Sequence, residues 1–258
     1  MKNTMMTIAL TTGALATGSL ASADVLAMLD QADEKAASTP DSVAAATATQ
    51  ASSPWYAAAA IGGNIALDSK FKDGDGAKFK FKTGVGLNVG VGYTVAENLA
   101  VEVRSGLLWN QIDKAEGLGA AVGTISGGKG AVYQVPVMAS LVYSIPISDK
   151  FSIGLKGGAG VQFTNFRADD VAVAFRNGDN AMLKWDHNSA AFRWEVGFQL
   201  AHQVADNIRI GGGVLFSGTS EVNIGSVEVA GNSGNLGLDQ KLKGLYNVSL
   251  GFGITVAF

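Results

Sequence analysis

The chain has 258 residues, 47% of them hydrophobic and only 16% charged, with a formal net charge of −3, 34 glycines and no cysteine. A chain this apolar and glycine-rich, with no collagen period, is not disordered, and without a long Lys/Arg run there is no electrostatic ground for nucleic-acid binding. The lack of cysteine removes disulfide frameworks, thiolate metal sites and thiol nucleophiles together.

Met1-Lys2-Asn3 makes a short positive start, residues 5–20 are mostly apolar or small, and Ala21-Ser22-Ala23 is an A-x-A site before Asp24. This predicts a signal peptide over 1–23, cleaved after Ala23. Beyond it no apolar run approaches the ~20 residues of a spanning helix, so any membrane crossing must use strands. Residues 24–54 carry Val25, Leu26, Met28, Leu29, Ala32 and Ala36 at helical spacing, then an Ala/Thr/Ser tract ending at Ser53-Pro54. A short amphipathic helix and a flexible tether are expected there, acting as a plain spacer rather than an interface.

From Trp55 the period changes to two. Tyr246, Val248, Leu250, Phe252, Ile254, Val256 and Phe258 share one face of the last segment, and Asn247, Ser249, Gly251 and Gly253 share the other. The same scheme places Phe79 and Phe81 with Val85, Leu87, Val89 and Val91 on an apolar face over 79–94. Alternating segments fall at 55–67, 79–94, 99–112, 131–145, 151–166, 190–204, 208–219 and 243–258. Their connections alternate between long (68–78, 113–130, 167–189, 220–242) and short (95–98, 146–150, 205–207). Apolar faces of ten residues or more, an even strand count and long loops on one side predict an all-β fold: an eight-stranded antiparallel up-and-down transmembrane β-barrel over 55–258. Trp55, Tyr93, Tyr143, Phe151 and Phe258 would form one aromatic girdle and Trp109, Tyr133, Phe163 and Trp194 the other.

Together Trp55-Tyr56 with Gly62-Gly63, Val135-Pro136-Val137, Gly157 to Val161 and the closing run Gly251 to Phe258 resemble the outer membrane protein β-barrel superfamily, including the transmembrane domain of outer membrane protein A. The resemblance implies residence in the outer membrane of a Gram-negative-type bacterium, and that Phe258 is the assembly signal read by the barrel assembly machinery. With nothing after Phe258, no peptidoglycan-binding domain is expected.

Parity turns Glu102, Arg104, Lys156, Arg193, Glu195 and Arg209 away from lipid. An eight-stranded lumen is only wide enough for its own side chains, and an unpaired buried ion costs several kcal/mol. A lumen charge network is therefore expected, as a polar plug or, alternatively, as a gated ion path. At the outer end, Lys78, Lys80 and Lys82 are positioned to meet lipopolysaccharide phosphates. Arg176, Lys184 and Trp185 belong to a loop suited to a surface partner of unknown identity.

No cofactor or metal site is expected, since Asp73-Gly74-Asp75-Gly76 lacks the spacing and distal glutamate of a calcium loop. His202 faces outward near a turn. His187, in Trp185-Asp186-His187-Asn188-Ser189, would suit a lipid A-deacylating Ser/His pair, but neighbours on a strand point to opposite sides, and a loop histidine without a role is the simpler account. The expected function is non-enzymatic: a structural or adhesive barrel, with a narrow pore for ions or small solutes as the alternative. A soluble lipocalin-like binder is disfavoured, because its strands would turn their apolar face inward.

Overall fold

The computed structural model describes residues 54–73, 76–119, 123–229 and 235–258. The signal peptide and the helix and tether expected over 1–54 lie outside them, apart from Pro54. So does half of the 73–76 Gly/Asp string. The strands are β1 (Trp55–Ala66), β2 (Ser69–Lys70), β3 (Lys78–Phe81), β4 (Gly84–Ala96), β5 (Leu99–Gly119), β6 (Gly123–Pro146), β7 (Phe151–Ala174), β8 (Asn180–Ala205), β9 (Ile208–Thr219), β10 (Val222–Val229), β11 (Asn235–Leu242) and β12 (Tyr246–Ala257).

Eight of these strands close a ring in the order β8-β7-β6-β5-β4-β1-β12-β9, with β9 returning to β8. Every pairing is antiparallel, and β1 seals against β12 from Tyr56 opposite Ala257 to Ala66 opposite Asn247. Closure leaves the ring no unpaired edge, which a sheet in hydrocarbon requires. Three short turns, after Ala96, Pro146 and Ala205, lie at the same end as Trp55 and Phe258, and the Phe258 N–H donates to the Trp55 carbonyl at 3.0 Å.

The alternating side chains produce an inverted protein in this half. Ile61 (60% exposed) and Val103 (58%) stand in an outward belt with Leu87, Leu141, Phe192 and Phe198. Asn64, Asn110, Gln134, Gln162 and Asn247 are fully buried in the lumen. Glycine makes room inside: a Cβ at Gly92 would overlap the Tyr56 ring, and one at Gly158 would overlap Ser140.

Towards the other end the pattern reverses. β5, β6, β7 and β8 run for 21, 24, 24 and 26 residues, about twice the ~9–11 residues that span a membrane. The long loops expected over 113–130 and 167–189 are therefore mostly strand, with β7 and β8 joined by a tight turn at 175–179. The 68–78 and 220–242 connections likewise carry β2, β10 and β11. Bulges flip the parity where the solvent changes. Between Ala168 and Val171 the β7–β8 register shifts, with Asp170 at φ 57°, so that both Ala168 and Val171 point inward and are fully buried. The break between β3 and β4 does the same for Phe79, which is fully buried rather than lipid-facing, while Phe81 packs partly against the same core. In this half the apolar residues are inside, as in a water-soluble sandwich.

Candidate functional site

The ring stacks three layers in its interior. Nearest the short turns is a charged layer. Arg104 on β5 forks onto Glu195 on β8, with Nε donating to Oε1 at 3.0 Å and Nη2 to Oε2. Its Nη1 donates to Asn88 Oδ1 at 2.6 Å, and Ser140 Oγ donates to Glu195 Oε1 at 3.0 Å. Lys156 on β7 pairs with Glu102 on β5, and the Tyr56 hydroxyl reaches Glu102 Oε2 at 3.5 Å. These charges come from strands far apart in sequence, and a bidentate guanidinium–carboxylate fork is the geometry that best offsets desolvation. A cavity beside them is lined by Ala58, Ala60, Gly90, Arg104, Lys156 and Gln199.

Arg193 and Arg209 are placed differently. Arg193 is 1% exposed and held by neutral groups, donating to Gln162 Oε1 and to Ser217 Oγ at 2.7 Å. Arg209 lies near the short-turn mouth, exposed, and forms no ion pair with the described residues.

The second layer is an amide cluster. Asn64 Nδ2 donates to Asn110 Oδ1 at 2.6 Å and to Asn247 Oδ1 at 2.9 Å. Asn247 Nδ2 donates to Gln134 Oε1 at 3.0 Å, and Ser249 Oγ to Asn64 Oδ1 at 2.8 Å. Amides both donate and accept, so a ring of them can satisfy itself without water. Nothing in the sequence beyond inward parity signals that this layer forms a mutual network.

The third layer is apolar. Phe79 stacks edge-on to Phe166 at 4.9 Å and to Trp185 at 5.8 Å, and Phe71 lies 5.1 Å from Phe79. Val132, Val171, Leu183, Val222, Ile224 and Leu242 surround them, all buried. Trp185, expected as a surface contact, is 1% exposed, because strand β8 continues through it and its parity is inward. Its Nε1 has no hydrogen-bond partner.

His187 also lies within β8, not in a loop, facing Phe166 across the β7–β8 pair. A Cβ on Gly225 (φ 77°) would lie 2.7 Å from its ring. Asp186 has the opposite parity, paired with Arg167, and Ser189 Oγ has no partner. Among the described residues no Ser–His–carboxylate relay is assembled there. His202 packs against outward Phe151 with ring centroids 4.3 Å apart.

On the outside of the extended half, Lys80 Nζ is 2.5 Å from Glu116 and Lys114 Nζ is 3.0 Å from it. Hydrogen bonds from Lys80, then from Lys114, hold the Glu116 carboxyl down at about 2. Lys78 bridges Asp68 at 2.8 Å and Glu116 at 3.7 Å, and Lys82 stands 3.9 Å from Asp113. Arg176 is exposed at the β7–β8 turn, and Lys184 lies 4.0 Å from Asp169.

The sequence model of the outer membrane protein beta-barrel domain family matches residues 42–210, well over half of the chain. This chain belongs to that family. The family implies a location in the outer membrane. Among solved structures it is similar to Neisserial surface protein A (16% identity, TM-score 0.42, covering 81% of this chain and 100% of that one). It is also similar to OprG from Pseudomonas aeruginosa (16%, 0.43, 81% and 99%), and to Ail of Yersinia pestis (13%, 0.38, 79% and 99%). No curated protein matches the chain.

Proposed function

We propose that this member of the family is a closed, non-enzymatic barrel that supports the outer membrane and presents an ordered β-structured head for surface contacts such as adhesion. The observation that carries the reading is the apolar layer around Phe79, Phe166 and Trp185, buried inside the ring beyond the amide cluster. Water and ions crossing a barrel need a continuous polar path, and here the amide layer ends against hydrocarbon. The same layer gives the head a core of its own, so it offers a partner a preorganised surface. Export with cleavage after Ala23, and recognition of Phe258 by the assembly machinery, belong to this reading.

The competing reading is a narrow pore for ions or small solutes, in which the Arg104–Glu195 and Lys156–Glu102 pairs part and the apolar layer opens. Planar-bilayer recording separates the two. No stepwise current above background is expected from the intact barrel, and salt-dependent steps from the wild-type protein would overturn the proposal. For the surface role, replacing residues 171–183 by a short turn should lower attachment of expressing cells while leaving the heat-modifiable gel shift intact. Unchanged attachment on every surface tried, including host-matrix proteins, would remove adhesion by this hairpin.

A further inference from the structure

The outward wall of the extended half carries lysines opposite lysines. Lys70 faces Lys78 in the β2–β3 register. On its other side the Lys243 N–H donates to the Lys70 carbonyl at 2.9 Å, and the Lys72 N–H donates to the Lys241 carbonyl at 2.8 Å. Phe71 and Leu242, bridged to each other between these pairs, are buried in the core. Alternation therefore turns the lysines on either side outward, and Lys70, Lys72, Lys241 and Lys243 are all exposed. Carboxylates take two of the five: Glu221 holds Lys72 at 2.7 Å, and Asp68 and Glu116 hold Lys78 at 2.8 and 3.7 Å. Lys70, Lys241 and Lys243 form no ion pair with the described residues. Like charges directly opposite on neighbouring strands destabilise the pairing, so this row gains stability from an external anion.

Its height identifies the anion. Leu67 (42% exposed) and Tyr246 (38%) are outward neighbours, joined by a 2.8 Å bond from the Leu67 N–H to the Tyr246 carbonyl. They end the apolar belt on this side. Lys70 and Lys243 stand three residues further along, about 10 Å at the strand rise. That distance carries them from the edge of the hydrocarbon, marked by an interfacial tyrosine, into the headgroup layer.

We propose that Lys70, Lys241 and Lys243, flanked by the carboxylate-paired Lys72 and Lys78, form a binding site for the phosphate groups of a phosphorylated glycolipid of the outer leaflet. Its acyl chains lie on the belt beneath, against Leu67 and Tyr246. Lipid is favoured over a free anion because the phosphate-binding row and the acyl-binding surface are continuous on one wall.

The test uses the full-length barrel refolded into phosphatidylcholine vesicles. These are used alone, with bisphosphorylated lipid A, with dephosphorylated lipid A, or with inorganic phosphate in the buffer. The thermal midpoint is read by heat-modifiable mobility. Phosphorylated lipid A should raise the midpoint by about 3 °C, an effect lost in K70Q/K243Q and retained in K70R/K243R. In phosphatidylcholine alone, K70Q/K243Q should unfold no lower than wild type, because it relieves repulsion. An equal rise with dephosphorylated lipid, or an equal rise in K70Q/K243Q, would overturn the site. A rise produced by inorganic phosphate alone would overturn its assignment to lipid.

Discussion

Arg104 and Glu195 face each other across the lumen from β5 and β8, ninety-one residues apart in the chain, and join through two parallel donor–acceptor contacts. Both are buried. Each is the other's only ionic partner at contact distance among the described residues. Removing one alone leaves an uncompensated ion, which costs about 3–5 kcal/mol, whereas replacing both with apolar groups is often neutral. Glu195→Ala should therefore lower the unfolding free energy, read by urea titration in vesicles, by that amount, and Arg104→Met with Glu195→Leu should recover most of it. A single variant as stable as wild type would mean the fork contributes nothing.

Trp185 is the largest fully buried side chain of the apolar layer. Trp185→Ala should cost about 3–5 kcal/mol through lost burial and the cavity left behind. The effect should be local: protease should cut near the β7–β8 turn while the membrane half keeps its resistance. If the proposed closure is right, this variant is also the one in which small conductance steps should first be seen.

Gly84 opens β4, and a Cβ there would overlap the backbone oxygen of Trp109 and approach Asn110 Nδ2 to 2.7 Å. The first clash is with main chain in the adjacent strand, which cannot rotate away. Gly84→Ala should destabilise by about 1–3 kcal/mol and slow the folded-band appearance in a refolding gel. Gly157, with nothing within 4 Å, is the matched control and should tolerate Ala with little change.

Glu116 titrates at about 2, drawn down by hydrogen bonds from Lys80 and Lys114. Because its folded value lies below the ordinary 4.5, its contribution is present above that pH and is lost as pH falls from there towards about 2. Local opening of the β3–β5 edge, followed by amide exchange at Phe79 and Ala115 corrected for the intrinsic rate at each pH, should rise over that interval in wild type. In Glu116→Gln the opening equilibrium, taken as the exchange rate divided by the intrinsic rate at each pH, should change less over this interval, and raised salt should weaken the wild-type dependence because these groups are exposed.

Alternation alone determined much of this protein. The ring strands, the outward belt from Ile61 to Phe252 and the inward placement of Glu102, Arg104, Lys156 and Glu195 all follow from side chains that change face at every residue. What parity could not decide is which inward groups meet. Arg193 faces the same lumen as Glu195, yet it is taken by Gln162 and Ser217, because partners across a barrel depend on strand stagger and not on position along one strand. Trp185 keeps the inward parity of Arg193 and Glu195 along β8 and was missed only because 167–189 reads as a loop; Phe79 and Val171 were beyond sequence reading for a different reason. One extra residue in a strand reverses every face after it, and the bulges near Lys80 and Asp170 come where the surroundings change from lipid to water. Below them the apolar side chains must face out, and above them they must face in. Only the tertiary structure, by fixing where the register shifts, decided that the same run of alternating residues makes a membrane wall in one half and a closed hydrophobic core in the other.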